Sequence, residues 1–190
     1  MEVTSLQQFS LVGGTTLALR YGHRSSEDID LFTTEKFNHQ HIISELEAKF
    51  QRRFVYKQEN TQFGIFCFID NIKVDIVHFP HLLIAAIEEE DKIRMYSNAD
   101  ISAMKIQAIL GRGKKKDFWD LYELLQHYPL QQLIDWHKQK YPNQMLAISI
   151  PHTITYFVDA EESETPVSYK GQTWDGIKKG ISKKVSDYLR

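Results

Sequence analysis

The sequence predicts an α+β fold, with a mixed sheet flanked by helices in the N-terminal half and a helical C-terminal half. Short apolar runs with a period of two are concentrated between residues 9 and 79, whereas apolar residues recur at helical spacing from about residue 84 onward. Strands first and helices last are typical of α+β proteins and not of doubly wound sheets. We therefore divide the chain into a core at 1–83 and a helical region packed on it at 84–190, with a broad boundary around 80–98.

Composition excludes several classes of protein. The 190 residues carry a formal net charge of -2, so any binding to nucleic acid would need a local basic patch. The single cysteine, Cys67, excludes an intrachain disulfide, and its apolar surroundings at 65–69 predict a packed thiol and not a nucleophile. No apolar stretch is long enough to span a bilayer and no signal peptide is evident, so we expect a cytoplasmic protein without a membrane partner.

Strand and turn signals organise the first half. A strand over Phe9–Val12 precedes Gly13-Gly14, after which Thr15 is predicted to cap a helix that ends at Gly22. Asp70-Asn71 is a hairpin signal between two strands. The further predicted elements are strands at 29–32, 54–57, 63–69 and 72–79 and a helix at 38–51.

Helical spacing dominates the second half. The serine-, threonine- and glutamate-rich segment 161–171 is predicted to be a loop. The predicted helices are 102–110, 117–127, 130–140, 150–157 and 174–189.

Two carboxylates in the segment Asp28-Ile29-Asp30 are the main chemical signal. Side chains at i and i+2 of a strand share a face, so Asp28 and Asp30 are predicted to project together. Like charges this close repel each other unless a cation lies between them, and carboxylate oxygens suit Mg²⁺ or Mn²⁺. The preceding Gly13-Gly14 turn would let backbone N–H groups approach a phosphate.

A third acidic residue, Asp75, interrupts the otherwise apolar strand at 72–79. Alone, it would be interpreted as a residue at a sheet edge or as the partner of a lysine. Together with Asp28 and Asp30 it favours a site in which three carboxylates from two strands hold two divalent ions. Such a site activates a hydroxyl and neutralises the charge of a transferring phosphate.

The run Leu11–Phe32, LVGGTTLALRYGHRSSEDIDLF, resembles the first motif of the DNA polymerase β-like nucleotidyltransferase superfamily. Within that superfamily the chain is similar to AbiEii-type abortive-infection toxins. Asp75 matches the third aspartate of the family, the segment 104–109 its lysine-bearing helix, and Lys116-Asp117-Phe118-Trp119-Asp120 its Lys-Asp-x-x-Asp segment. The resemblance covers residues 9–126 with the order of motifs intact.

The resemblance implies transfer of a nucleotide from an NTP to an acceptor such as tRNA, with Mg²⁺ or Mn²⁺ as the cofactor. It also implies a toxin with a cognate antitoxin as a partner. The implied metal ligands are Asp28, Asp30 and Asp75, and Lys105 would offset charge on the triphosphate. Gly13, Gly14 and Thr15 would cradle the phosphates.

Several other residues are assigned to the nucleotide site, each with a structural alternative. Lys105 lies in a helix that is apolar nearly all round, so it meets either a phosphate or a carboxylate such as Asp117 or Asp120. Arg112 lies seven residues on and is predicted to share its face. Arg24 would reach the phosphates or brace Asp28. Asp117 and Asp120 share a helix face and are both assigned to the nucleotide site, although Asp117 could instead cap a helix. Lys116 ends the basic loop 111–116, which either contacts phosphates or is simply a solvated turn.

Two other functions remain open at this stage: a non-catalytic, toxin-like binding module, and a nucleotidyltransferase that modifies a small molecule. The family usually carries a helical segment before the Gly-Gly strand, whereas eight residues precede Phe9 here. Either a short variant or an incomplete N-terminus would explain that difference. The base of the NTP, the acceptor and the oligomeric state do not follow from the sequence.

Overall fold

The computed structural model of the protein describes residues 3–56 and 63–190. The strands within these ranges are β1 (Ser10–Val12), β2 (Ile29–Thr33), β3 (Phe54–Tyr56), β4 (Gly64–Ile69), β5 (Ile72–His78), β6 (Glu88–Glu90) and β7 (Ile93–Met95). They form one mixed sheet in the order β3-β4-β5-β2-β1-β7-β6. The sequence-predicted α+β architecture is confirmed.

Helices flank this sheet and fill the C-terminal half. They are α1 (Gly13–Tyr21), α2 (His39–Phe50), α3 (Asn98–Gly111), α4 (Lys115–His127), α5 (Leu130–Lys140), α6 (Ile150–Thr153) and α7 (Trp174–Tyr188). Short 3₁₀ turns lie at Thr4–Leu6, Gln51–Arg53 and Val158–Ala160. In the described ranges, no helix has the length and apolarity needed to cross a membrane.

Two buried clusters lie on opposite faces of the sheet, because side chains alternate along each strand. α2 covers one face, where Leu11, Leu31 and Ile76 are buried with Ile42 and Leu46. The other face receives α3, α4 and the remaining helices, and Val12 belongs to its cluster. Asp30 and Asp75 lie on this second face, which we call the carboxylate face, because Val12 pairs with Asp30 and Asp30 with Asp75.

Local sequence accounts for the elements predicted correctly. α2 begins after Asn38, whose side chain accepts a hydrogen bond from the N–H of His41, as a good N-cap does. Asp70 and Asn71 both have positive φ, at 52° and 65°, as a tight hairpin between β4 and β5 requires. Cys67 is buried as predicted, and burial raises its pKa to about 12. In the strand predicted over 54–57, the last residue lies outside the described ranges.

Three predictions of local structure were wrong. α1 begins at Gly13 and not after Thr15, and in the described chain no side chain caps it. The helical pattern was placed from residue 84, but β6 and β7 form a hairpin that joins the sheet beside β1, and α3 begins only at Asn98. The helix predicted over 150–157 is four residues long and is followed by a turn and a 3₁₀ segment. The domain division at 83/84 stays a prediction.

A buried ion pair fixes the start of α3 against the end of α5. Lys140 Nζ lies 2.7 Å from Asp100 Oδ1, and both side chains are fully excluded from solvent. Asp100 also accepts hydrogen bonds from Ser97 Oγ and from the backbone N–H groups of Ile84 and Ala85. One buried carboxylate, whose charge Lys140 balances, therefore holds both the connection between β5 and β6 and the residue before α3.

We expect Lys140→Met to destabilise the protein by about 3–5 kcal/mol, because Asp100 would remain buried without its counter-ion. Urea unfolding followed by circular dichroism measures the change. The matched control is Lys138→Met on the exposed side of the same helix, which should change the free energy of unfolding by less than about 0.5 kcal/mol. Equal stability of the two variants would contradict this role of the pair.

Candidate active site

Asp30 and Asp75 lie side by side at the centre of the carboxylate face. β2 and β5 are parallel, and their register places Asp30 directly opposite Asp75. Lys73, two residues before Asp75 on the same strand face, forms an ion pair with Asp75 Oδ2. Asp75 Oδ1 is buried and has no hydrogen-bond partner within the described ranges. The pair therefore carries buried acceptor capacity that the protein itself does not satisfy.

Burial and the charge of Asp75 both disfavour the ionised form of Asp30. Burial and the neighbouring charge of Asp75 raise the pKa of Asp30 above its ordinary value, although Lys105 and Lys73 act against this. Among the described residues, the Asp30 carboxylate has no hydrogen-bond or ion-pair partner. The folded protein thus holds a carboxylate in a place where its ionised form is disfavoured.

Asp30 and Asp75 suit a hard divalent cation, although they supply only part of the ligands that such an ion needs. In the part of the chain that the structure describes, no three His, Cys, Asp or Glu side chains are grouped so that they could hold a metal ion. The three-carboxylate arrangement predicted for Asp28, Asp30 and Asp75 is therefore not assembled in this structure. Mg²⁺, however, is commonly bound by one or two carboxylates together with waters and substrate phosphates. Asp30 and Asp75, with the unpartnered Oδ1, supply such a donor set.

Asp28 lies just before β2 and is held by a lysine. Its Oδ2 is 3.0 Å from Lys116 Nζ at the start of α4, and the side chain is 41% exposed. Partial burial would raise the pKa of Asp28, but the hydrogen bond and charge of Lys116 outweigh that effect and lower it. The Thr15 hydroxyl donates to the backbone carbonyl of Asp28 and contacts Ser26 Oγ. Thr15 thus holds the segment that carries Asp28.

Gly13 is required where α1 meets Asp30. Its φ is +76°, and a Cβ added there would lie 2.6 Å from Asp30 Oδ2. A side chain on Gly14 would collide with the guanidinium of Arg24. The uncapped first turn of α1 consequently starts beside Asp30, with backbone N–H groups available to an anion.

A buried ionic network joins the helical half to the segment after α1. Arg24 donates two hydrogen bonds of 2.7 Å to the Asp120 carboxylate, and His23 Nε2 lies 2.7 Å from Asp120 Oδ1. Lys105 Nζ lies 2.8 Å from Asp120 and 3.1 Å from Asp117. Burial alone would raise the pKa of Asp120, but Lys105, His23 and Arg24 hold it far below its usual range.

The network corrects several assignments made from sequence. Arg24 binds Asp120 and neither braces Asp28 nor faces solvent, since it is 2% exposed. Lys105 pairs with the carboxylates of Asp117 and Asp120, which is the alternative to a phosphate contact that the sequence left open. Asp117 is the third residue of α4 and accepts from the N–H of Lys114, so it is not the N-cap residue itself.

Arg112 lies just after the last residue of α3 and, like Lys105, it reaches the Asp117 carboxylate. Its guanidinium is largely exposed, 3.5 Å from Asp117. Sequence reasoning did not select Lys73 or His23. Lys73 could have been found, because it stands two positions before Asp75 in a strand and must share its face. His23 gave no local signal, because its partner Asp120 is 97 residues away.

Two open cavities adjoin Asp28. One has a volume of ≈ 660 Å³, which is within the size range of small-molecule sites, and its lining includes Thr15, Ser26, Asp28, Phe68 and Lys73. The second has a volume of ≈ 310 Å³. Its walls are Asp28, Lys116 and the loop residues 164–167. Asp28 therefore lines both cavities, whereas Asp30 and Asp75 line neither.

Comparisons with known proteins agree with this geometry. A family model described as the nucleotidyl transferase AbiEii toxin of type IV toxin–antitoxin systems matches residues 1–155. An uncharacterised protein of Aquifex aeolicus, aq_aa25, is 32% identical over 189 residues, which are 95% of this chain and 88% of that protein.

Solved structures share the fold at low sequence identity. The nucleotidyltransferase toxin MenT4 of Mycobacterium tuberculosis has a TM-score of 0.60 at 13% identity, covering 94% of this chain and 74% of its own. JHP933 of Helicobacter pylori has a TM-score of 0.57 at 16% identity, covering 94% of this chain and 82% of its own.

Asp30→Asn should stabilise the protein in metal-free buffer at pH 7, because it removes a charge that burial and Asp75 disfavour. We expect a gain of about 1 kcal/mol, or a rise in Tm of about 2–4 °C. Thermal unfolding in EDTA measures it. A lower Tm than that of the wild type would contradict the interpretation that the carboxylate pair is strained.

Asp120→Asn should destabilise the protein at pH 7 by about 3–5 kcal/mol, because Arg24 and Lys105 would lose a buried partner. The depressed pKa of Asp120 stabilises the wild type above the unfolded pKa of about 3.9, and this contribution is lost as pH falls. Urea unfolding between pH 7 and about pH 3 should therefore show a constant deficit of the variant down to about pH 4, and a deficit that narrows only below it. A deficit independent of pH would exclude the ionised form as its cause.

Proposed function

Because the chain belongs to the AbiEii nucleotidyltransferase toxin family, we propose that it transfers a nucleotide from an NTP to a hydroxyl of an RNA acceptor such as tRNA. Mg²⁺ or Mn²⁺ would be the cofactor and a cognate antitoxin the protein partner. The observation that carries the proposal is the register of β2 and β5, which brings Asp30 and Asp75 together beside the start of α1.

Asp30 and Asp75 would hold the metal, and Asp28 would join them once it releases Lys116. A bound divalent ion would neutralise charge on the phosphates and favour deprotonation of the acceptor hydroxyl. Asp75, whose Oδ1 has no partner among the described residues, would orient that hydroxyl and accept its proton. The acceptor oxygen would then bond to the α-phosphorus while the α–β phosphoanhydride bond breaks and pyrophosphate leaves.

Backbone and ammonium groups would bind the triphosphate. The N–H groups of Gly13, Gly14 and Thr15 begin α1, where the helix dipole also favours an anion. Lys116 now neutralises Asp28, so a cation at the carboxylates would leave this ammonium free for a phosphate. Lys105, Asp117, Asp120 and Arg24 would act by positioning these elements, since their charges are already paired with one another.

An RNA acceptor is supported by the basic segment before α4. Arg112 and Lys114 are exposed there, and Lys116 lines the cavity beside Asp28. Cationic side chains next to a phosphate-transfer centre would contact further phosphates of a polynucleotide. A small acceptor would have no use for charges that extend beyond the site.

We expect Asp30→Ala and Asp75→Ala each to lower label transfer from an NTP to total RNA by at least about 100-fold, since even residues behind metal ligands typically contribute 10–100-fold. The assay uses each labelled NTP in turn with Mg²⁺ and is repeated in EDTA. Glu47→Ala, an exposed carboxylate on α2 at the opposite face, is the matched control and should retain full transfer. Transfer that survives Asp30→Ala or EDTA would refute the proposed mechanism.

A further inference from the structure

Part of the carboxylate face is apolar and uncovered. Val55 on β3 and Phe66 and Phe68 on β4 project from it with 53%, 39% and 47% of their surfaces exposed. We call Phe66 and Phe68, together with the neighbouring aliphatic Val55, the aromatic shelf. Neither of the two buried clusters in the described chain includes any of them. Adjacent exposed aromatic side chains of this kind are typical of binding surfaces.

The shelf continues directly into the acidic centre. Phe66 is the register partner of Asp75, and Phe68 is the partner of Lys73. Val55 pairs with Phe68 one strand further out. Phe68 also lines the cavity of ≈ 660 Å³ that includes Asp28 and Lys73. A ligand that touches Asp75 could therefore lie across the shelf without leaving the sheet.

We propose that the aromatic shelf binds the single-stranded end of the RNA acceptor, with a nucleobase stacked on Phe66 and Phe68. This inference rests on the proposed nucleotidyl transfer. Lys73, at the border between the shelf and Asp75, is the cation that a phosphodiester of the same strand meets. Aromatic side chains on an open sheet face bind unpaired bases in this way, because every base offers a flat π-face.

The position of the shelf indicates that it binds the acceptor RNA and not the donor NTP. The strand order β4-β5-β2-β1 places Asp75 and Asp30 between the shelf and the start of α1. The triphosphate is assigned to the Gly13 side of the carboxylates, and Asp75, the carboxylate nearest Phe66, is assigned to the acceptor hydroxyl. A base on Phe66 therefore belongs to the strand that carries this hydroxyl.

Steady-state transfer kinetics with total tRNA as the acceptor test the shelf. Phe66→Ala and Phe68→Ala should each raise the KM for tRNA by about tenfold, the usual loss for one stacked base. The KM for the NTP should stay within about twofold, and Phe68→Tyr should behave as the wild type, whereas Phe68→Leu should not. Tyr188→Ala, an exposed aromatic residue on α7, is the distant control.

Several outcomes overturn the inference. An unchanged KM for tRNA in both alanine variants would do so, as would a rise confined to the KM for the NTP, or full activity of Phe68→Leu. If the wild type transfers no nucleotide, or if Asp30→Ala does, the proposed function fails instead. Thermal unfolding of the variants, which alter only exposed side chains, identifies any loss caused by misfolding.

A binding measurement does not depend on catalysis. A short oligoribonucleotide with 2-aminopurine at its 3′ end should show quenched fluorescence on the wild type, and much less on Phe66→Ala and Phe68→Ala. The same strand in a blunt duplex should bind more weakly, because its terminal base is already stacked. The assignment to single-stranded RNA would be refuted if the duplex bound equally well. It would also be refuted if the wild type sedimented as a dimer and the alanine substitutions dissociated that dimer.

Discussion

The parallel pairing of β2 with β5 is the constraint on which the acidic centre depends. Leu31 and Ile76 are buried on one face by this pairing, and the alternation of a strand then forces Asp30 and Asp75 together on the other. A slip of one residue would bury the carboxylates and expose the apolar side chains, so the core on the α2 side enforces the register. Folding thereby holds two like charges together at a cost that the hydrophobic cluster outweighs.

The helical half fixes the orientation of this centre through buried charges. Asp120 receives Arg24, His23 and Lys105, so that α3, α4 and the segment after α1 meet at one carboxylate. Asp100 and Lys140 do the same where α3 and α5 meet. Removing one partner of such an ion-pair network leaves a buried charge without water or a counter-ion. Few other arrangements of the helices can pair the charges that remain. The position of α1, and with it the distance from Gly13 to Asp30, follows from the first of these networks.

Local sequence predicted the elements whose signals are local. The alternation around Asp30 and Asp75, the helix predicted over 38–51 and the Asp70-Asn71 turn required no tertiary information. β6 escaped prediction because Glu88, Glu89 and Glu90 have no apolar alternation, and only pairing with β7 makes them a strand. The cap assigned to Thr15 failed because the left-handed Gly13 starts the helix two residues earlier.

The sequence indicated Lys105 as one alternative partner of Asp120, but it did not indicate His23 or Arg24. These two residues are almost a hundred positions away from Asp120 along the chain, and the sequence around each of them gives no signal of the contact. The grouping of Asp30 with Asp75 was predictable from their chemistry and strand positions, and the spacing of Lys73 and Asp75 also placed these two side chains on one face. The contact of Lys116 with Asp28, 88 residues away along the chain, depends on the fold.

β6 forms one edge of the sheet, and an edge strand offers unpaired backbone groups to any other extended chain. Glu88, Glu89 and Glu90 are all exposed on this strand, and among the described residues only Glu88 has an ion-pair partner, which is Arg20. A second molecule that approached β6 edge to edge would bring the same three glutamates with it, and the like charges would repel. The acidic strand therefore ends the sheet and protects the folded protein against growth into extended β-aggregates.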